Sequence, residues 1–197
     1  MRAPNARPCE VEHLPHPILA IAKDYAHGAR VAWHSHARAQ LLFATSGTMR
    51  VTTAAGAWIV PPLRAVWIPP GTEHALAMTG PVSMRTLFLR PGAAPFMPGD
   101  CCRVVEVTPL LRALILAAME EDSDPELPPT SRAGMIAGLI VSELERAEPV
   151  PCAFPCPATR GCSRSAAPCS TIPPATRRWR TGPSGPGPAA ARSPACS

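Results

Sequence analysis

Residues 34–47 read "HSHARAQLLFATSG". His34 and His36 stand one residue apart, and Gln40 follows before the apolar run Leu41, Leu42, Phe43. Side chains alternate between the two faces of an extended chain. His34, His36 and Gln40 therefore share a face if this stretch is a strand. Further on, residues 69–75 read "PPGTEHA", a turn signal at Pro70 and Gly71 followed by His74. Neutral imidazoles are the commonest ligands of transition metals, and three of them make one face of a site for Ni, Co, Zn or Fe. Glutamine is a weaker, uncharged oxygen donor than glutamate and leaves such a site less negative. The same histidines can also serve as polar contacts for an organic effector.

Around this stretch the chain reads as short strands: "RVAWHSH", "AQLLFATSG", "TMRVTT", "AWIVPP", "AVWIPPG" and "SMRTLFL", punctuated by Gly47, Gly56, Gly71 and Gly80. Such spacing predicts a mostly β domain, an antiparallel sandwich or barrel, over residues 17–98 after an N-terminal arm at 1–16. Trp33, Trp67 and Phe43 are expected in its core. The pattern then turns helical. In "VTPLLRALILAAMEE", Thr108 is placed to cap a helix with Pro109 at its first position, and Leu110, Leu111, Leu114, Ile115 and Ala118 recur at helical spacing. In "TSRAGMIAGLIVSELERAE", Met135, Ile136, Leu139, Ile140 and Leu144 form one apolar stripe. The helical region, 107–147, either packs on the β domain or supplies a seam between two copies.

These residues resemble the cupin superfamily, whose first motif is G-x5-H-x-H-x3,4-E-x6-G and whose second is G-x5-P-x-G-x2-H-x3-N. His34, His36, Gln40 and Gly47 match the first, with Gly28 at its leading glycine; Pro69, Gly71 and His74 match the second. Three positions depart: Gln40 for the usual glutamate, Leu63 for the opening glycine of the second motif and Met78 for its closing asparagine. The stretch from Pro17 to Ala147, barrel then helices, is similar to the amino-terminal sensor domain of AraC-type transcription regulators. That resemblance implies a cupin jelly-roll barrel followed by two helices, a small-molecule or metal effector, a homodimer, and promoter DNA as a partner of the intact regulator only.

Beyond residue 150 the chain changes character. Of 19 lysines and arginines, six lie from Cys152 onward, where there is no Asp or Glu; the rest of the chain carries 13 against 14. The net charge of +5 therefore belongs to the tail and gives the domain no basic face. Residues 151–197 contain no helix-turn-helix pattern, and their cysteine spacing does not match paired zinc knuckles. Read two bases later, their codons permit "TLADWAVRAGASSRTLARLF", which resembles the first helix-turn-helix of the AraC family. The Trp179 and Cys196 codons force NTG where leucine is wanted. The tail is thus expected to be disordered and out of frame, with the DNA-binding domain lost.

Adjacent Cys101 and Cys102 make a poor start to a disulfide framework, no apolar leader precedes the domain, and no run of about 18 apolar residues exists to span a membrane. A reduced, cytoplasmic protein is expected. With no acid/base pair outside the histidines, no catalytic residue is assigned. The sequence points to the effector-sensing and dimerisation part of a DNA-binding regulator, not an enzyme. The alternative is a stand-alone metal cupin of the dioxygenase or isomerase type.

Overall fold

A computed structural model describes residues 16–121, 128–148 and 150. Seven strands form one antiparallel sheet: β1 (Ile18–Tyr25), β2 (Arg30–His34), β3 (Ala39–Thr53), β4 (Gly56–Val60), β5 (Arg64–Ile68), β6 (His74–Leu89) and β7 (Arg103–Glu106). Along its main path the order is β1-β6-β3-β5-β7, with β2 also on β6 and β4 also on β3. Two helices follow, α1 (Pro109–Ala118) and α2 (Arg132–Arg146). The sequence's mostly β domain, a cupin fold carrying two helices, is what forms. The expected arm, apart from His16, and the tail lie outside the described residues.

The runs "AQLLFA", "AVWI" and "TLFL" are apolar except for Gln40 and Thr86, because both faces of the sheet are buried where they lie. Leu42, Ala44, Val66, Ile68 and Met84 face an inner core. Their neighbours Leu41, Phe43, Ala65, Trp67, Leu87 and Leu89 face an outer core shared with Leu111, Ile115, Ile136, Ile140 and Leu144 of the helices. The helices therefore close the outer face of the sheet, the first of the two arrangements their stripes allow.

Two predicted strands, "AQLLFATSG" and "TMRVTT", are one 15-residue strand, β3. Its pairing with β6 slips between Ala44 and Thr48. Even-numbered Leu42 and Ala44 precede the slip, and odd-numbered Met49 and Val51 follow it, yet all four face the inner core. A bulge restores the apolar face that a one-residue shift would otherwise turn outward. Gly47 sits in the bulge at φ 74°, and a Cβ there would lie 2.4 Å from the Pro81 carbonyl oxygen.

Several sequence expectations need correction. The sheet runs past residue 98, because β7 pairs with β5; a four-residue strand is too short to show a period. Trp33 is 56% exposed, since it alternates with His34 on β2, whereas Phe43 and Trp67 are buried as expected. The α2 stripe divides. Ile136, Ile140 and Leu144, at i, i+4 and i+8, are buried in the domain's own core. Met135 and Leu139 are 55% and 50% exposed, because one residue back is a rotation of about 100°. Leu110 on α1 points outward for the same reason. Thr108 does cap α1, its side chain accepting from the Leu111 N–H, and Ser131 caps α2 in the same way.

Two backbone positions should respond in opposite directions. Leu63 lies at φ 73° and is exposed, at the position where the cupin motif has its opening glycine. A left-handed conformation costs a non-glycine residue roughly 1–2 kcal/mol, partly offset by the freedom a glycine adds to the unfolded chain. Leu63→Gly is expected to raise urea stability by up to about 1 kcal/mol. Gly47→Ala, strained in φ and blocked by backbone, should lower it by more than about 1 kcal/mol. Equilibrium unfolding of the two variants beside the parent checks both.

Candidate metal and effector site

The inner face of the sheet ends in a cluster of histidines. His34 on β2 and His74 on β6 are direct cross-strand partners. His36 is not on a strand: β2 stops at His34, and His36 lies in the connection to β3. The alternation argument therefore puts His36 near the right place for the wrong reason. Its backbone carbonyl accepts a hydrogen bond from the Gly71 N–H at 2.8 Å. Gly71 adopts φ 73°, and the Thr72 N–H donates to the Pro69 carbonyl, so "PPGT" is a tight turn that needs glycine at its third position. The turn of the second motif thus ties down the loop of the first.

The three imidazoles converge. Ring centroids are 4.2 Å apart for His34 and His74, 4.9 Å for His34 and His36, and 5.5 Å for His36 and His74. One ring nitrogen from each lies within 4.8 Å of the others. The Phe88 ring packs edge-on against His36 at 4.8 Å. His74 is 1% exposed, and His36 and Gln40 are buried.

Hydrogen bonds settle which nitrogens face the cluster. Nδ1 of His34 lies 2.8 Å from the Ala32 carbonyl, and Nδ1 of His74 lies 2.9 Å from the Thr72 carbonyl. A carbonyl oxygen only accepts, so each Nδ1 carries the proton and each Nε2 presents a lone pair. A backbone carbonyl behind a metal-binding imidazole is the usual way such a ligand is oriented. Nε2 of His74 is buried with no partner, and so is Oε1 of Gln40. Buried polar atoms are rarely left unpaired. Two unpaired acceptors on the face that carries three imidazoles fit a cation. A first-row ion sits roughly 2.0–2.1 Å from each nitrogen in tetrahedral geometry, which sets the nitrogens about 3.4 Å apart, so a pair at the 4.8 Å limit has to close by about 1.4 Å.

Burial holds the His74 imidazolium pKa down to about 4, against the bond to Thr72, and the neighbouring His34 and His36 lower it further. His74 is thus neutral and ready to ligate across the physiological range. A groove of about 510 Å³ lies elsewhere, between β1, the loop after β6 and the two helices. Its walls are mostly small and apolar, with His16, Arg90 and Glu121 as their polar members. Among the described residues, sequence reasoning missed one polar member of the site, Thr86, buried beside Gln40. Its parity with Met84 on the strand "SMRTLFL" is the signal that could have found it.

An antiparallel β domain with three imidazoles gathered at one end of its inner core is the setting for the chain's similarities to known proteins. The AraC-like ligand-binding domain model matches residues 16–129, and the chain belongs to that family. A curated relative, the HTH-type transcriptional regulator NimR of Escherichia coli strain K12, is 36% identical over 99 residues. That match covers 50% of this chain and 36% of NimR. Solved structures with similarity include KdgF from a Halomonas species, at TM-score 0.36 and 24% identity over 39% of this chain and 72% of that one. The unsaturated-fatty-acid-bound ToxT of Vibrio cholerae strain SCE256 matches at TM-score 0.47 and 8% identity, over 66% of this chain and 53% of that one.

The depressed His74 pKa has a sign that can be tested. In the unfolded chain this group titrates near 6.5. Between that value and about 4 the unfolded state binds a proton that the folded state refuses. Metal-free stability should therefore fall as pH drops from about 6.5, level off below about 4, and be unaffected by this group at higher pH. The full loss is on the order of 3 kcal/mol. Urea unfolding at pH 7.5 and 4.5 should show a smaller difference for His74→Gln than for the parent.

Proposed function

We propose that the chain is the effector-sensing half of a DNA-binding transcription regulator of the AraC type, acting in the cytoplasm and not as an enzyme. The observation that carries this is the family match over the barrel and the first helix, joined to a NimR relative that is itself a helix-turn-helix regulator. The chain spans about a third of that relative's length, so promoter binding belongs to an intact form carrying a DNA-binding domain. Among the described residues no helix is long and apolar enough to cross a membrane.

The effector site in this reading is the inner face of the barrel. His34, His36 and His74, with Gln40 as the weak fourth donor, would hold a divalent ion such as Ni, Co, Zn or Fe, or contact an organic effector directly. A bound ion would supply a positive centre for an anionic group on an effector. All four protein donors are neutral and leave the ion's charge uncompensated. Binding is accordingly reversible and is lost on acidification as imidazoles protonate. Titration calorimetry with Ni, Co and Zn at neutral pH should detect binding to the parent chain, and His36→Ala should weaken it at least tenfold. No binding by the parent rules out the metal and leaves the histidines as contacts for an organic effector. Turnover of a small organic substrate by the metal-loaded chain would favour the enzyme reading instead.

Association between copies rests on what α2 leaves uncovered. With Ile136, Ile140 and Leu144 committed to the core, the seam would be built on the exposed Met135 and Leu139. Leu139→Asp is expected to convert dimer to monomer in analytical ultracentrifugation with the thermal midpoint nearly unchanged. A parent chain that is monomeric at tens of micromolar, on the order of ordinary dimer dissociation constants, would remove the seam.

A further inference from the structure

The fourth donor of the site is an amide, and only one of its two ends can ligate a cation. Gln40 lies on β3 in the parity of Leu42 and Ala44, which face the inner core. Its Nε2 donates to the Thr86 hydroxyl oxygen at 3.0 Å. Thr86, on β6, is 1% exposed, and its hydroxyl donates in turn to the Leu41 carbonyl at 3.3 Å. A hydroxyl has a single proton. Once that proton is given to Leu41, Thr86 can only accept, so the amide must turn Nε2 toward it. Oε1 is then left on the other side, buried and without a partner. An unpaired buried acceptor is costly, so an orientation held against that cost is held by something specific. Gln40 pairs across the sheet with Phe88, whose ring packs on His36. The unpaired oxygen is therefore in the neighbourhood of the histidine cluster.

We propose that Thr86 is a positioning residue of this site: the Leu41–Thr86–Gln40 relay sets the amide so that Oε1, not Nε2, is the fourth donor beside His34, His36 and His74. The proposal rests on the metal reading above. A carboxylate at position 40 would not need the relay, since either of its oxygens accepts. Glutamine does need it, because a turned amide would present two N–H groups to a cation. The hydroxyl at position 86 thus compensates for the departure at position 40.

The test is a double-mutant cycle on the full chain, with Ni(II) as the probe in calorimetry. Thr86→Val, which keeps the shape and removes the hydroxyl, should weaken Ni(II) binding by about 10–100-fold, the usual effect of removing a group that orients a ligand. Thr86→Ser should bind like the parent. In a Gln40→Glu background, Thr86→Val should cost much less than in the parent. Equal losses in both backgrounds would mean a merely structural threonine and overturn the proposal, as would Ni(II) binding by Thr86→Val that matches the parent. A parent that binds none of Ni, Co or Zn overturns the metal reading and this assignment together. If Thr86→Val does not fold, Zn(II) titration of the parent by NMR decides. The Gln40 Nε2 protons should keep their contact to Thr86 in the bound state, and its loss overturns the proposal.

Discussion

The structure depends on the antiparallel pairing of β3 with β6, two long strands paired from Ala39 opposite Leu89 to Thr53 opposite His74, with the register slip between Ala44 and Thr48. Every other strand attaches to one of these two or to β5 beside them. Both faces of this pair are buried over residues 39–44 and 86–89, and there its apolar side chains divide between the inner and the outer core. Fully burying one Leu or Phe side chain contributes roughly 1.5–3 kcal/mol, and Leu41, Leu42, Phe43, Leu87, Phe88 and Leu89 are all buried. The pair also carries Gln40 and Thr86, and His74 begins β6.

The bulge at Gly47 is what lets one strand serve two ends of the barrel. Without the register slip, Met49 and Val51 would face outward and the inner core would lose its far end. Backbone approach at Pro81 leaves no room for a side chain there, so this glycine is fixed by contact as well as by φ. Leu63 shows the converse: an exposed residue held in a left-handed conformation with no packing that requires its side chain. The departure from the motif at 63 is tolerated because its cost is small and local.

At the site, geometry and hydrogen bonding act in the same direction. Backbone carbonyls take the Nδ1 protons of His34 and His74, and Thr86 takes the amide protons of Gln40. Lone pairs are left facing a buried space with no carboxylate among the ligating set. In the sensing role proposed above, such an arrangement would hold a cation or a hydrogen-bond donor reversibly.

Much of this was legible in the sequence. The histidine spacing, the Pro-Gly turn and the apolar runs are local features, and local patterns determined the β class, the two capped helices and the grouping of His34, His36 and His74, to which Gln40 belongs only in the reading proposed above. The tertiary structure decided the rest because each remaining question concerned residues distant in the chain. Trp33 and Trp67 are chemically alike, and only strand pairing turns one outward and the other into the core. Met135 and Leu139 differ from Ile136 and Ile140 only in which side of α2 meets the sheet. His36 reaches the cluster through a bond from Gly71 rather than by strand alternation. The orientation of the Gln40 amide is set by a hydroxyl 46 residues away, and no spacing rule joins those two positions until β3 and β6 are laid side by side.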